Sequence, residues 1–103
     1  MHTIYHITTA HEWAEAIDKG AYTAPSLFAE GFIHCSNSEQ VKGVLERYYL
    51  GKTDLLLLTI DPNLLQAEIK YEHAPSVNEL FPHVYGPINL DAVIDSKSIA
   101  THL

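Results

Sequence analysis

The spacing of apolar residues divides the chain into short segments, and helical spacing is confined to its first half. Residues Thr3 to Thr8 are rich in Ile, Tyr and Thr, which predicts a first strand. Thr9 is followed by Glu12 three positions later, which is the pattern of a capping box at a helix start. We therefore expect a first helix that runs to Lys19 and ends at Gly20.

The middle of the chain predicts a loop, a second strand, a second helix and one fully buried strand. Ala21 to Ala29 carries Pro25 and predicts a loop with one short turn. Gly31 to Cys35 predicts the second strand, and a helix is expected from about Glu39 to Leu50. Because Asp54 to Asp61 is uniformly apolar between its ends, we expect a central strand that is covered on both faces.

Strands dominate the structure predicted for the second half of the chain. Ala67 to His73 alternates and predicts a partner strand, while Ala74 to Glu79 predicts a loop or one helical turn. Val84 to Gly86 predicts a short extended piece, and Leu90 to Asp95 predicts a last strand. About two helices and five to six strands result, and their order along the chain favours the α+β class in a single domain over residues 1–103.

Composition agrees with a compact domain that needs no covalent support. Of the 103 residues, 47% are hydrophobic and 18% are charged, which is enough apolar material for a core. Cys35 is the single cysteine, so no internal disulfide forms, and a cytoplasmic protein is the simplest expectation. No signal peptide is visible, and the longest apolar run, Leu55 to Leu58, is too short to cross a bilayer.

The charge of the chain argues against polyanionic partners. The formal net charge is −7, from 13 acidic and 6 basic residues, and Arg47 is the only arginine. Binding to nucleic acid or to an anionic membrane requires clustered Lys and Arg. We therefore expect neither partner, and the sequence leaves the oligomeric state open.

Three of the seven histidines, His6, His34 and His83, lie inside short apolar runs. A histidine between Ile, Phe and Val side chains is partly buried and needs a hydrogen-bond partner, so three of them suggest a pocket. His6 is either a buried residue bonded to a backbone carbonyl or a donor aimed at a ligand hydroxyl. The three histidines also offer a metal-site hypothesis, although no HExxH or HxH spacing is present.

Other candidate residues lie near these histidines. Cys35 points to the opposite strand face from His34, which predicts an inert core thiol rather than a nucleophile. The run Phe81 to Pro87 combines two prolines with His83, Tyr85 and Gly86 and predicts either a rigid edge segment or a ligand wall. Glu72 ends a predicted strand, and an acid in that position suits general-base or charge-stabilising work.

Several runs of the sequence resemble the bacterial family called domain of unknown function 952. The matching runs are Tyr5-His6-Ile7-Thr8, Ser26-Leu27, Glu30 to Ser36, Tyr71-Glu72 and Phe81 to Ile88. This resemblance covers nearly the whole chain. The family in turn resembles the ADP-ribosyltransferase fold, which implies a mixed or antiparallel split sheet.

The resemblance to ADP-ribosyltransferases implies a ligand and roles for individual residues. The ligand would be NAD or an ADP-ribose-like nucleotide, with His6 holding a ribose hydroxyl and Glu72 stabilising positive charge at the ribosyl carbon. The residues expected to line the pocket are Ser26, His34, Ser36, His83, Tyr85 and Gly86.

Two kinds of protein fit these expectations, besides the metal-dependent enzyme. One is an active ADP-ribosyltransferase or phosphotransferase. The other is a binding module that has kept the pocket and lost catalysis, since the tyrosine or serine motif of known transferases is not evident in this sequence.

Overall fold

A computed structural model describes residues 2–99 of the chain, and this part is an α+β structure with three α-helices and eight strands. The helices are α1 (Ala10–Lys19), α2 (Pro25–Glu30) and α3 (Val41–Tyr48). The strands are β1 (Ile4–Thr9), β2 (Ala21–Tyr22), β3 (Ile33–His34), β4 (Leu55–Ile60), β5 (Glu68–Ala74), β6 (Glu79–Tyr85), β7 (Ile88–Asn89) and β8 (Val93–Ile99). Two short 3-10 helices span Pro62–Leu64 and Leu90–Ala92.

The strands form three antiparallel sheets, in the orders β1-β4-β8, β2-β7 and β3-β6-β5. β4 is the central strand of the first sheet, and apolar clusters cover both of its faces. Leu57 packs with Leu45 of α3 on one face, whereas Leu58 and Ile60 belong to the larger core on the other. The expectation of a central strand buried on both sides is therefore confirmed.

The first helix follows the sequence prediction at both ends. The hydroxyl oxygen of Thr9 accepts a hydrogen bond from the backbone N–H of Glu12 at 3.1 Å, and Gly20 ends the helix with φ of 93°. A glycine adopts this left-handed conformation without steric cost, which explains the stop. No helix within residues 2–99 is long and apolar enough to cross a membrane.

Two predicted segments of the first half have different structures. The expected loop at residues 21–29 contains strand β2 and helix α2, because Pro25 occupies the first helical turn, where its missing N–H costs nothing. Helix α3 is shorter than expected. Asn37 and Gln40 exchange side-chain to backbone hydrogen bonds of 2.9 and 3.0 Å, which form a turn before the helix begins at Val41.

The second half contains a longer strand than the sequence predicted. The short extended piece expected at Val84–Gly86 is the end of β6, which has Pro82 near its middle and lies between β3 and β5. The carbonyl of Pro82 accepts the N–H of Cys35 at 3.0 Å, so the proline nitrogen also faces the end of the short strand β3. Its missing N–H therefore removes no hydrogen bond to β5.

The last strand also begins later than predicted. Residues Leu90–Ala92 form a 3-10 helix, and the N–H of Asp61 donates to the carbonyl of Ala92 at 2.9 Å. This contact ties the turn to the end of β4, so that β8 starts at Val93. The expected two helices and five to six strands are thus too few, because helix α2 and the two-residue strands β2 and β7 were not predicted.

Candidate functional site

The exposed face of the β3-β6-β5 sheet gathers four of the eight predicted site residues. His34 pairs with His83 across β3 and β6, and His83 pairs with Lys70 across β6 and β5. Residues two positions apart on a strand share a face, so Glu72 and Tyr85 lie beside this row. We call this surface the site face, and it consists of Phe32, His34, Lys70, Glu72, His83 and Tyr85.

Glu72 is held in place by two hydrogen bonds to the same carboxylate oxygen. Its Oε1 accepts from Nδ1 of His83 at 2.7 Å and from the hydroxyl of Tyr85 at 2.5 Å. The bond from Tyr85, followed by the bond from His83, lowers the pKa of Glu72 below its ordinary value. The same bond to Glu72 raises the pKa of Tyr85. Glu72 is therefore an anchored carboxylate at neutral pH.

Glu72 and His83, which form a hydrogen-bonded pair, differ in how far their side chains are exposed to solvent. The side chain of Glu72 is 41% exposed, whereas that of His83 is 14% exposed. No hydrogen bond from residues 2–99 reaches Oε2 of Glu72 or Nε2 of His83. Oε2 of Glu72 and Nε2 of His83 therefore remain available for hydrogen bonds to a molecule that binds to the site face.

Aromatic rings give the site face a flat apolar part. Phe32 stacks on the ring of His83 with centroids 4.1 Å apart and an interplanar angle of 17°. The ring of Phe32 also lies beside those of His34 and Tyr85, with centroid distances of 4.8 and 5.3 Å. The ammonium of Lys70 lies 4.7 Å from the centroid of the Tyr85 ring, which is within cation–π range.

A second histidine–carboxylate pair borders the same rings. Nε2 of His34 lies 2.9 Å from Oε2 of Glu30, the last residue of α2. Both side chains are about half exposed, at 53% and 48%. The rings of His34 and His83 meet edge to face with centroids 5.2 Å apart. Two imidazoles, each bonded to a carboxylate, are thus neighbours on the site face.

His6 lies away from this surface and is buried. Its Nδ1 is 2.5 Å from the backbone carbonyl oxygen of His34, and its Nε2 is 2.8 Å from the hydroxyl of Tyr22. Burial, the largest cause, lowers the pKa of His6 to about 4. Both ring nitrogens are therefore occupied within the protein, so the ring offers no donor to a ligand hydroxyl.

The remaining predicted residues lie behind or beside the site face. Ser26 donates its hydroxyl proton to the carbonyl of Phe32 at 2.8 Å, which fixes the backbone of that residue. Ser36 is buried and exchanges backbone hydrogen bonds of 2.7 and 2.8 Å with Tyr5. Cys35 is buried, as expected from strand alternation, and burial raises the pKa of its thiol well above the ordinary value.

Gly86 belongs to a cleft that adjoins the site face. This open cleft has a volume of about 640 Å³, and Tyr85 forms part of its wall as well. A Cβ atom at Gly86 would lie 2.9 Å from the Cβ atom of Ala67, so the close approach of these two backbones requires glycine.

Three residues at the site, Phe32, Lys70 and Glu30, were not among the site residues predicted from the sequence. Two of them carried a detectable signal, because Lys70 and Phe32 lie two positions from Glu72 and His34 and therefore share their faces. No sequence pattern places Glu30 within reach of His34, since this contact depends on where α2 ends.

The metal-site hypothesis lacks geometric support. Among residues 2–99, no group of three His, Cys, Asp or Glu side chains could hold a metal ion. His6 is separated from His34 and His83 because its ring faces Tyr22, and its nitrogens are already bonded. The three embedded histidines therefore do not converge as one ligand set.

Comparison with models of known protein families assigns this chain to a family. The model described as "Protein of unknown function (DUF952)" matches residues 7–96, and the chain belongs to that family. A comparison with curated proteins found no significant match.

The chain is also similar to solved structures of protein CC0527 from Caulobacter crescentus. Its crystal structure is 28% identical in sequence, with a TM-score of 0.87, and the match covers 95% of this chain and 86% of that one. The solution NMR structure of CC0527 is 29% identical, with a TM-score of 0.81, and covers 96% and 85%.

Proposed function

We propose that the site face binds a nucleotide of the NAD or ADP-ribose class. The observation that carries this proposal is the anchoring of Glu72 through one oxygen, since Oε1 takes both internal hydrogen bonds and Oε2 remains for a ligand. A carboxylate oxygen is an acceptor for the hydroxyl groups of a ribose. The ligand class comes from the resemblance of the family to ADP-ribosyltransferases.

The rings beside Glu72 suit the flat part of such a ligand. Phe32 and His83 form a stacked pair at 4.1 Å, and Tyr85 extends this surface towards the adjoining cleft. A purine or nicotinamide ring gains contact area by packing on aromatic side chains. His34 and Lys70, which flank His83 in the sheet, supply donors for phosphate oxygens.

The role proposed for His6 differs from the ribose contact expected from the sequence. Because its Nδ1–H donates to the carbonyl of His34, His6 holds a residue of the site face from behind. Ser26 has a similar task through the carbonyl of Phe32. Both are positioning residues in this proposal, and neither touches the ligand.

Isothermal titration calorimetry with ADP-ribose, NAD and AMP tests the binding proposal. We expect ADP-ribose to bind, and we expect Glu72→Gln to weaken binding at least about tenfold, because a charged acceptor is lost. Glu15→Gln is the matched control, since Glu15 also pairs with a histidine but lies on α1, with 3.7 Å between its Oε2 and Nε2 of His11. The absence of heat at millimolar ligand, or equal affinity of the Glu72 variant, contradicts the proposal.

One observation favours ribosyl transfer as a second candidate function. The hydrogen bonds from Tyr85 and His83 lower the pKa of Glu72 and hold its carboxylate in place, and an ionised carboxylate stabilises positive charge at a ribosyl carbon. Release of nicotinamide from NAD, measured by chromatography, tests this candidate. Transfer chemistry predicts release that Glu72→Gln abolishes, whereas a binding module releases none.

A further inference from the structure

The basic side chains of the site face form one row across three strands. His34, His83 and Lys70 are direct cross-strand partners on β3, β6 and β5. Directly opposite residues in antiparallel strands lie about 5 Å apart. The oxygens of a single phosphate group can therefore form hydrogen bonds with two neighbouring side chains of this row.

Each histidine in this row has one nitrogen bonded to a carboxylate. Nδ1 of His83 bonds to Glu72 at 2.7 Å, and Nε2 of His34 bonds to Glu30 at 2.9 Å. No hydrogen bond from residues 2–99 reaches the second nitrogen of either ring. A carboxylate that fixes one nitrogen sets the orientation of the ring and the basicity of the other nitrogen.

We propose that His83 and His34 act as a general base and a general acid on a phosphodiester or phosphoanhydride bond of the bound nucleotide. This inference rests on the proposed function, and it names the bond that the site attacks. Glu72 and Glu30 are positioning residues in this scheme, since each acts through the imidazole that it orients. Lys70 pairs with a phosphate oxygen.

The reaction is a hydrolysis whose co-reactant is water. Nε2 of His83 takes a proton from the attacking water while the new P–O bond forms. The P–O bond to the leaving oxygen breaks, and that oxygen takes a proton from Nδ1 of the His34 imidazolium. Proton exchange with solvent returns His83 to its neutral form and His34 to its charged form, so that no oxidant or reductant is needed.

Charge favours diesters over monoesters as substrates. In the proposed proton-transfer scheme, Lys70 and the His34 imidazolium contribute one positive charge each. Glu30, Glu68 and Glu72 contribute three negative charges. A phosphodiester carries one negative charge, whereas a phosphomonoester carries about two near neutral pH. Because these groups carry no excess of positive charge, the monoanionic group meets less repulsion there than a phosphomonoester does.

Other titratable groups face the two histidines and enter the pH dependence of this chemistry. They are Glu68, Lys70 and Glu72 on β5, Tyr85 on β6 and Glu30 at the end of α2. Because proton transfer needs one neutral and one charged imidazole, the rate should rise and then fall with increasing pH.

The test uses bis(4-nitrophenyl) phosphate, 4-nitrophenyl phosphate and ADP-ribose as probes for the full chain. We expect cleavage of the diester and of ADP-ribose, little cleavage of the monoester, and a bell-shaped pH–rate profile. His83→Gln and His34→Gln should each lower the rate at least about 100-fold. His83→Gln, which removes the base, should abolish the rise in rate on the acidic side of the profile. His34→Gln, which removes the acid, should abolish the fall in rate on the basic side.

His11→Gln is the matched control, because His11 also pairs with a carboxylate, Glu15, but lies on α1. It should keep the full rate. ADP-ribose that binds in calorimetry but stays intact together with the diester overturns the acid–base inference and leaves the binding proposal standing. Equal rates in the wild type and in both site variants also overturn it. Failure of ADP-ribose to bind overturns the proposed function instead.

Discussion

Nδ1 of His6 and the backbone carbonyl oxygen of His34 lie 2.5 Å apart, and this contact joins the buried interior to the site face. A carbonyl oxygen only accepts hydrogen bonds, so Nδ1 carries the proton. Nε2 lies 2.8 Å from the hydroxyl of Tyr22, which also contacts Oγ1 of Thr8 at 3.0 Å. The carbonyl of His34 thereby fixes the tautomer of the neutral His6 ring.

Nuclear magnetic resonance can observe this tautomer directly. Because burial lowers the pKa of His6 to about 4, the ring is neutral at pH 7 and should be the Nδ1–H form. Long-range ¹H–¹⁵N correlation spectra distinguish the two neutral tautomers by their nitrogen shifts. A protonated Nε2 with a bare Nδ1 in His6 would show that the contact to His34 is not a hydrogen bond.

The same burial makes stability depend on pH. The native state keeps His6 neutral down to about pH 4, whereas the unfolded chain takes up the proton near 6.5. The unfolded state therefore binds more protons between these values, and the free energy of unfolding falls as pH drops through this window. The loss amounts to roughly 3 kcal/mol when complete. Urea unfolding at several pH values should show a smaller slope for His6→Gln than for the wild type, and equal slopes would disprove the assignment.

Removal of the Tyr22 hydroxyl should destabilise the fold. Tyr22→Phe keeps the ring but leaves Nε2 of the buried His6 without its hydrogen-bond partner, which costs about 1–3 kcal/mol. Its hydroxyl also lies 3.0 Å from Oγ1 of Thr8, so a second contact is lost. Tyr48→Phe is the control, because that side chain is 63% exposed and should change stability by less than about 0.5 kcal/mol. Denaturant unfolding measures both, and equal stabilities of the two variants would rule out a structural role for the hydroxyl.

Replacement of Gly31 or Gly43 by alanine should change the stability of the fold in opposite directions. Gly31 ends α2 with φ of 92°, next to Phe32 of the site face, so Gly31→Ala should cost about 1 kcal/mol. Gly43 lies inside α3, where an added Cβ meets only the flexible end of Arg47, and Gly43→Ala should stabilise by roughly 0.5–1 kcal/mol. Thermal unfolding tests the pair, and a stabilising Gly31→Ala would contradict the backbone assignment.

Much of the first half of the fold follows from local signals. Thr9 and Gly20 mark the two ends of α1 because a cap and a left-handed stop are properties of single residues. The buried strand β4 follows from its continuous apolar run. The edge segment expected at Phe81 to Pro87 is instead largely the central strand β6. The effect of Pro82 on a strand depends on which neighbour its nitrogen faces, and that is a property of the sheet.

The site was predictable only in part, for a related reason. Strand alternation separates His34 from Cys35 and pairs His83 with Tyr85, but it does not tell which face meets solvent. His6 and His83 lie in similar apolar runs, yet one ring is enclosed by Tyr22 and the other is open beside Glu72. The difference arises from long-range packing, which short sequence runs do not encode.

Under the proposed function, the site face around Glu72 and His83 binds an ADP-ribose-type nucleotide. Titration of ¹⁵N-labelled protein with ADP-ribose, followed by ¹H–¹⁵N correlation spectra, maps the contact surface residue by residue. We predict saturable shifts for the amides of His34, Lys70, Glu72, His83 and Tyr85, with little change in β8. Absence of shifts at millimolar ADP-ribose, or shifts confined to elements outside the β3-β6-β5 sheet, would contradict the claim.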